Sequence, residues 1–173
     1  MIVILGESAS GKSTVQNILC KDYGYERLIT YTTRNPRRGE RDGIDYHFIS
    51  EDTFGKMCNN NEFCEKAEYN GWHYGIAKSN CTDNKVAVLT PHGLRQVSKF
   101  DELTFFTYYI NVPRRDRLVK ILQRGDDVDE AYRRSLSDVG QFDGISDEVD
   151  FVIYNPGYIM SPEEIAKEII ESM

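Results

Sequence analysis

Apolar positions along the chain follow two periods, and the change between them marks out the architecture. Residues 2–5, 86–89, 105–112 and 151–154 are short apolar runs rich in valine, isoleucine and aromatics, as strands buried on both faces require. Helical spacing separates them. Val15, Ile18 and Leu19 recur after residue 13, residues 93–100 form a second helix, and residues 114–124 form a third with Leu118, Ile121 and Leu122 on one face. Gly125-Asp126-Asp127 breaks that helix, and a charged helix is predicted over about 129–141. Ser161, followed by Pro162 and then Glu164 at the third position, is a capping box that opens a final helix. Strands alternating with helices predict an α/β fold with a parallel sheet flanked by helices.

The pattern is different between residues 30 and 78. Residues 25–33 read as one strand, running into the basic turn R-N-P-R-R-G-E, and 46–49 as a short one. Ser50 caps a helix that reaches about residue 60, with Glu51 and Asp52 in its first turn. Strands at 62–69 and 72–76 are joined by Asn70-Gly71, a hairpin signal. This mostly antiparallel stretch reads as a subdomain inserted into the α/β core. Strict alternation puts Phe63, Glu65, Ala67 and Tyr69 on one face and Glu62, Cys64, Lys66 and Glu68 on the other. Glu65 is then a lone acid on the more apolar face.

Composition narrows the function. A chain of 173 residues is one compact unit, and a net charge of −7 excludes the broad basic surface that nucleic acid needs. Basic residues cluster at 34–41, 114–124 and 133–134, which suits a small polyanion. No apolar run is long enough for a membrane span. The four cysteines form no C-x-x-C pair, so they read as reduced thiols in a cytoplasmic protein with no obligate protein partner evident.

Residues 6–13 read G-E-S-A-S-G-K-S and fit the phosphate-binding loop G-x-x-x-x-G-K-[ST], placed between a buried strand and a helix N-terminus. The loop's N–H groups can converge on one anion. Lys12 can reach the β- and γ-phosphates, and the Ser13 hydroxyl can ligate a phosphate-bound Mg²⁺.

That loop, then T-T-R-N-P-R-R-G-E-R-D-G-I-D-Y-H-F-I-S, then N-E-F-C-E-K-A and Y-G, closely resembles the guanylate kinase family over nearly the whole chain. The resemblance implies a P-loop kinase core (1–29, 79–112 and 137–173), a GMP-binding insertion (30–78) and a small helical lid (113–136). It implies transfer of the γ-phosphoryl of ATP to GMP with Mg²⁺, and no partner beyond the two nucleotides. Glu7, Ser8, Ala9, Ser10, Gly11, Lys12, Ser13 and Thr14 would hold ATP, with Lys120 and Arg124 from the lid and Asn155 beside the adenine. Thr30 and Glu65 would read guanine, whose adjacent N1–H and N2–H₂ donors one carboxylate accepts together. Arg34, Arg37, Tyr46 and Tyr74 would clamp the acceptor phosphate, two guanidinium forks and two phenols suiting a dianion. Lys12, Arg34, Arg124 and Arg134 would be the catalytic cations, with Arg133 a rival to Arg134.

The chain departs from the family pattern at four places. Ile76 stands where a hydroxyl is usual. Thr90-Pro91-His92-Gly93 replaces a two-acid motif, which puts His92 beside the acceptor. The lid is about one residue shorter, and Pro156 follows Asn155 in place of an acid. Two other readings stay open at this point, a kinase of altered or broader acceptor and a non-catalytic interaction module on the same scaffold.

Overall fold

A computed structural model describes residues 1–69, 71–123 and 128–173, with backbone alone for Tyr69, Val128, Glu130, Ala131 and Arg134. Two sheets organise these residues. The first is all parallel and has strand order β2-β7-β1-β8-β9, built from β1 (Ile2–Leu5), β2 (Glu26–Arg27), β7 (Lys85–Val88), β8 (Phe106–Asn111) and β9 (Phe151–Tyr154). Its central strands β7, β1 and β8 are buried on both faces, whereas β2 is exposed at one edge and β9 exposes Val152 and Tyr154 at the other. Ile2 and Ile4 pack with Val15, Leu19, Ile165 and Ile169 of α1 (Lys12–Asp22) and α6 (Pro162–Glu171), whereas Val3 and Leu5 pack on the other side with Leu94 and Val97 of α3 (Pro91–Val97). The alternation along β1 thus feeds two cores, which is why the run contains no polar residue.

The second sheet has order β4-β3-β6-β5, from β3 (Tyr31–Thr32), β4 (His47–Phe48), β5 (Phe63–Tyr69) and β6 (Trp72–Ala77). Its β3–β6 and β5–β6 pairs are antiparallel and its β3–β4 pair is parallel. One face rests on α2 (Glu51–Asn59), where Phe54 stacks on Phe63 with ring centroids 4.6 Å apart. Gly75 makes that contact possible, because a Cβ there would stand 2.8 Å from the Phe63 ring. Ser50 and Ser161 accept from the Thr53 and Glu164 amides, as the capping signals predict.

Four expectations are corrected. The strand expected over 25–33 divides, since Glu26–Arg27 pairs with β7 of the first sheet and Tyr31–Thr32 with β4 and β6 of the second. Register along β5 shifts between Phe63 and Glu65, so Phe63 opposes Ala77 while Glu65 opposes Ile76. This bulge puts Phe63 and Glu65 on opposite faces, and it buries both Phe63 and Cys64. The third helix, α4 (Arg114–Gln123), buries Arg117 and Ile121 and leaves Leu122 exposed, so its inner face is not the one periodicity suggests. The charged helix α5 (Val128–Ser137) stops four residues short of the expected end, and turns replace its last part. The expected break at Gly125-Asp126-Asp127 lies outside the described residues. Among the described residues no helix is long and apolar enough to cross a membrane.

Candidate active site

The carboxyl ends of the parallel strands supply one end of the molecule, the usual place for a ligand in an open α/β sheet. From β1 the chain enters the loop 6–13. Gly6 is obligatory there, since a Cβ would stand 2.8 Å from the Ile110 carbonyl oxygen. Ala9 adopts φ 66°, a left-handed value rare for a residue with a side chain. Gly11, at φ 97°, then caps α1. Among the described residues the amides of Gly11, Lys12 and Ser13 meet no acceptor. They are the orphan donors of a helix start, and an anion satisfies such groups.

Ser8 to Thr14 line a cavity of about 730 Å³ together with Lys120, Asn155, Tyr158 and Met160. Lys12 Nζ donates to the Glu7 carbonyl oxygen at 2.7 Å, and burial lowers its pKa to about 8. Lys120 Nζ lies 5.2 Å over the Tyr158 ring, and the Tyr158 hydroxyl donates to the Ala9 carbonyl oxygen. Asn155 lines this cavity but spends its side-chain amide on the Met160 carbonyl oxygen and its side-chain oxygen on the Met160 amide, fastening the loop 155–160. Ser13 is exposed at the first turn of α1.

Glu7 points elsewhere. With Arg117, Tyr109 and Asp138 it lines a smaller cavity of about 290 Å³. Arg117 is 7% exposed; it donates to Glu7 Oε1 at 3.2 Å and pairs with Asp138 Oδ2 at 3.6 Å. Asp138 Oδ2 also accepts from the Ser8 amide at 2.8 Å, and the Tyr109 hydroxyl donates to Glu7 Oε2. Burial and the neighbouring Glu7 carboxylate raise the Tyr109 pKa, which keeps the phenol protonated as a donor. Arg117, Asp138 and Tyr109 were not legible as site residues. A buried arginine on a helix shares its sequence signature with a solvated one, and the only local hint is its place on the face beside Ile121.

The second sheet gathers the other expected residues on the face turned away from α2. Register puts Tyr74 opposite both Thr32 and Ala67, and Ile76 opposite Glu65. Thr30 and Arg34 lie two residues either side of Thr32, and Tyr46 two before Phe48, which pairs with Thr32. Tyr46 and Tyr74 meet edge to face at 6.1 Å, and the Arg34 guanidinium lies 5.3 Å over the Tyr46 ring. Arg34 is 8% exposed and pairs with Glu40 at 2.8 and 3.0 Å. That contact raises the Arg34 pKa, and together with the Arg37 amide it lowers that of Glu40. Arg37 itself is exposed.

Glu65 is half-buried, and among the described residues its carboxylate has neither a cation nor a hydrogen-bond donor. Burial alone lifts its pKa to about 7. Gly93 comes close to it, within 3.6 Å of Glu65 Oε1 for a Cβ built there. Thr90 caps α3 by accepting from the Gly93 amide at 3.1 Å, and His92 is exposed in the first turn. Ile76 is buried in the core between the sheets. Arg124 lies outside the described residues, as does the side chain of Arg134.

A family model described as guanylate kinase matches residues 1–171. The guanylate kinase of Prochlorococcus marinus subsp. pastoris is 32% identical over 178 residues, covering 98% of this chain and 96% of that protein. That of Lactobacillus johnsonii is 28% identical over 180 residues, covering 99% and 88%. A crystal structure of guanylate kinase from Anaplasma phagocytophilum shares the fold with a TM-score of 0.67 at 24% identity, over 99% of this chain and 82% of that one.

Proposed function

The chain belongs to the guanylate kinase family, and from that premise we propose how its own residues carry out the family's reaction, transfer of the γ-phosphoryl of ATP to GMP to give ADP and GDP. The observation that carries the assignment is the pairing of two unlike sites on one chain. One is a loop of orphan amides with a buried lysine, and the other is a sheet face with an unpartnered carboxylate, a buried arginine and two phenols.

ATP enters the larger cavity lined by Ser8 to Thr14, its phosphates on the orphan amides of Gly11, Lys12 and Ser13. Lys12 leaves the Glu7 carbonyl oxygen for the β- and γ-phosphates and regains its full charge against them. Lys120 and Arg124 approach from the lid, and Arg134 neutralises charge on the transferred group. Asn155 serves the adenine side by holding the loop 155–160 in shape. Guanine lies on the second sheet with its N1–H and N2–H₂ on Glu65 and with Thr30 beside it. Arg34, Arg37, Tyr46 and Tyr74 take the acceptor phosphate, and Glu40 gives up Arg34 to it. His92 borders the same site. An oxygen of that phosphate attacks the γ-phosphorus in line while the bridging oxygen departs with ADP.

Ser13 would hold Mg²⁺ through its hydroxyl, which is exposed at the start of α1 beside the orphan amides, and one hydroxyl suits an ion that is bound through few protein ligands. Bound there, it would neutralise phosphate charge. The working parts are a core of 1–29, 79–112 and 137–173, an insertion of 30–78 and a lid of 113–136, in a cytoplasmic enzyme.

A coupled assay of ADP release with ATP and each nucleoside monophosphate in turn tests the reading. GMP should be the preferred acceptor, and Lys12→Ala should lose nearly all turnover while still binding GMP. ADP release that is equal for all acceptors, or unchanged in Lys12→Ala, overturns it.

A further inference from the structure

Two of the four cysteines meet where the second sheet joins the first. Cys64 is the bulged residue of β5, 2% exposed, in the core shared with Ile76. Cys81 follows the short turn Lys78–Asn80 that leaves β6, and it is half-buried. Their Sγ atoms are 3.6 Å apart. Each is also oriented by a backbone oxygen, Cys64 Sγ at 3.3 Å from that of Ile76 and Cys81 Sγ at 3.6 Å from that of Ala77. A disulfide requires about 2.05 Å, so closure asks the sulfurs to approach by about 1.5 Å. Cys20 and Cys58 sit in α1 and α2, away from this pair.

We propose that Cys64 and Cys81 are a reversible thiol–disulfide pair whose oxidation by a small-molecule disulfide withdraws the Glu65 carboxylate from the nucleotide and so weakens GMP binding. The loss of GMP binding rests on the reading of Glu65 given above; formation of the disulfide does not.

The roles divide by exposure. Cys81, the more accessible thiol, loses its proton to solvent and attacks one sulfur of the oxidant. The oxidant's S–S bond breaks and one small thiolate leaves and is protonated. Cys64, held in contact, loses its proton and attacks Cys81 Sγ, expelling the second small thiol. Two protein thiols become one disulfide, and one small disulfide becomes two thiols, so electrons and protons balance. The contact between the two sulfurs lowers the Cys81 pKa and raises that of Cys64, in keeping with attacking and resolving partners.

The consequence follows from chain continuity. Cys64 is bonded directly to Glu65 within an irregular register, where one residue has no partner opposite and the strand is free to adjust. Drawing Cys64 toward Cys81 moves the bulge and therefore the carboxylate behind it. The phosphate-binding loop lies on a different sheet and is not pulled.

The test treats the full-length protein with oxidised glutathione, then unfolds it and counts thiols with and without dithiothreitol. Two of the four thiols should disappear, peptide mapping should find Cys64 joined to Cys81, and dithiothreitol should restore both. The KM for GMP should rise by about tenfold or more, the loss expected for a charged hydrogen-bonding partner, while the KM for ATP stays put. Cys81→Ser should keep normal GMP kinetics and show no response to the oxidant. Four remaining thiols, a glutathione adduct alone, or a Cys64–Cys81 bond without a change in GMP KM overturns the proposal. A reduced enzyme that does not prefer GMP indicts the reading of Glu65 instead.

Discussion

Glu65 is a carboxylate held away from water with no cation beside it, and that condition has a measurable sign. Burial raises its pKa from an ordinary 4.5 to about 7, so between those values the folded chain binds more protons than the unfolded one. Stability contributed by this group therefore falls as pH rises from 4.5 to 7. In the guanine site proposed for Glu65, ligand binding runs the other way, because guanine's two donors need the charged form. Affinity for guanosine, which lacks a titrating phosphate, should climb about tenfold per pH unit up to pH 7 and level off above it. Glu65→Gln should bind more weakly and with no such slope. Calorimetry across pH 5.5–8.5 checks both, and a flat native profile removes Glu65 from the base site. Arg117 carries the second residue-scale prediction. It pairs with both Glu7 and Asp138, whose side chains are 13% and 15% exposed. Arg117→Leu strips both carboxylates of that ion pair, at a cost of about 3 kcal/mol and a drop in Tm of roughly 6 °C or more. Adding Asp138→Asn to that variant should recover part of the loss. An additive double variant would mean the three groups do not act together.

Elements whose signals are local could be read from the chain, and elements that depend on a distant partner could not. Caps at Ser50 and Ser161, the hairpin of β5 and β6, and β9 with its bounds at 151 and 154 all follow from neighbouring residues. So does the phosphate-binding loop, because its chemistry is confined to eight consecutive positions. The division of 25–33 between two sheets and the bulge at Cys64 are set by what lies opposite, which composition does not record. Those are also two of the places where the second sheet meets the core. For the same reason alternation correctly set Glu65 apart as an unusual acid on a face with Ala67 and Tyr69, yet wrongly added Phe63 to it. Gly75 tests the packing of that sheet directly. Gly75→Ala drives a methyl against the Phe63 ring, which is itself stacked on Phe54 and has no room behind it. Overpacking of this kind costs about 1–3 kcal/mol. At about 2–4 °C per kcal/mol the melt should fall visibly. An unchanged Tm would show that Phe63 has an alternative rotamer.

At the scale of the whole molecule, the phosphate-binding loop and the second sheet, the proposed donor and acceptor sites, are fixed to the core with different firmness. The phosphate-binding loop is tied on three sides, by Asp138 to the Ser8 amide, by Arg117 to the Ser8 and Glu7 oxygens, and by Tyr158 to Ala9. The second sheet is joined to the core by the chain between β2 and β3, by core contacts of Cys64 and Ile76, and at its edge by Gln96 of α3. The side-chain oxygen of Gln96 accepts from the Lys66 amide at 3.0 Å, and its amide donates to the Lys66 carbonyl oxygen at 2.8 Å. Transfer needs the reacting atoms about 3–3.5 Å apart in a site cleared of water. The less firmly held part is the one expected to move, carrying GMP toward a stationary ATP. Small-angle scattering should then show a smaller radius of gyration with a non-hydrolysable ATP analogue and GMP together, against roughly 16 Å expected for a compact chain of this length. Gln96→Ala releases the sheet edge, so it should speed hydrogen exchange at the Lys66 amide and change the KM for GMP more than that for ATP. If both ligands leave the radius unchanged and Gln96→Ala moves neither KM, the two sites are already in register in the free enzyme, and the joint at Gln96 is a strut and not a hinge.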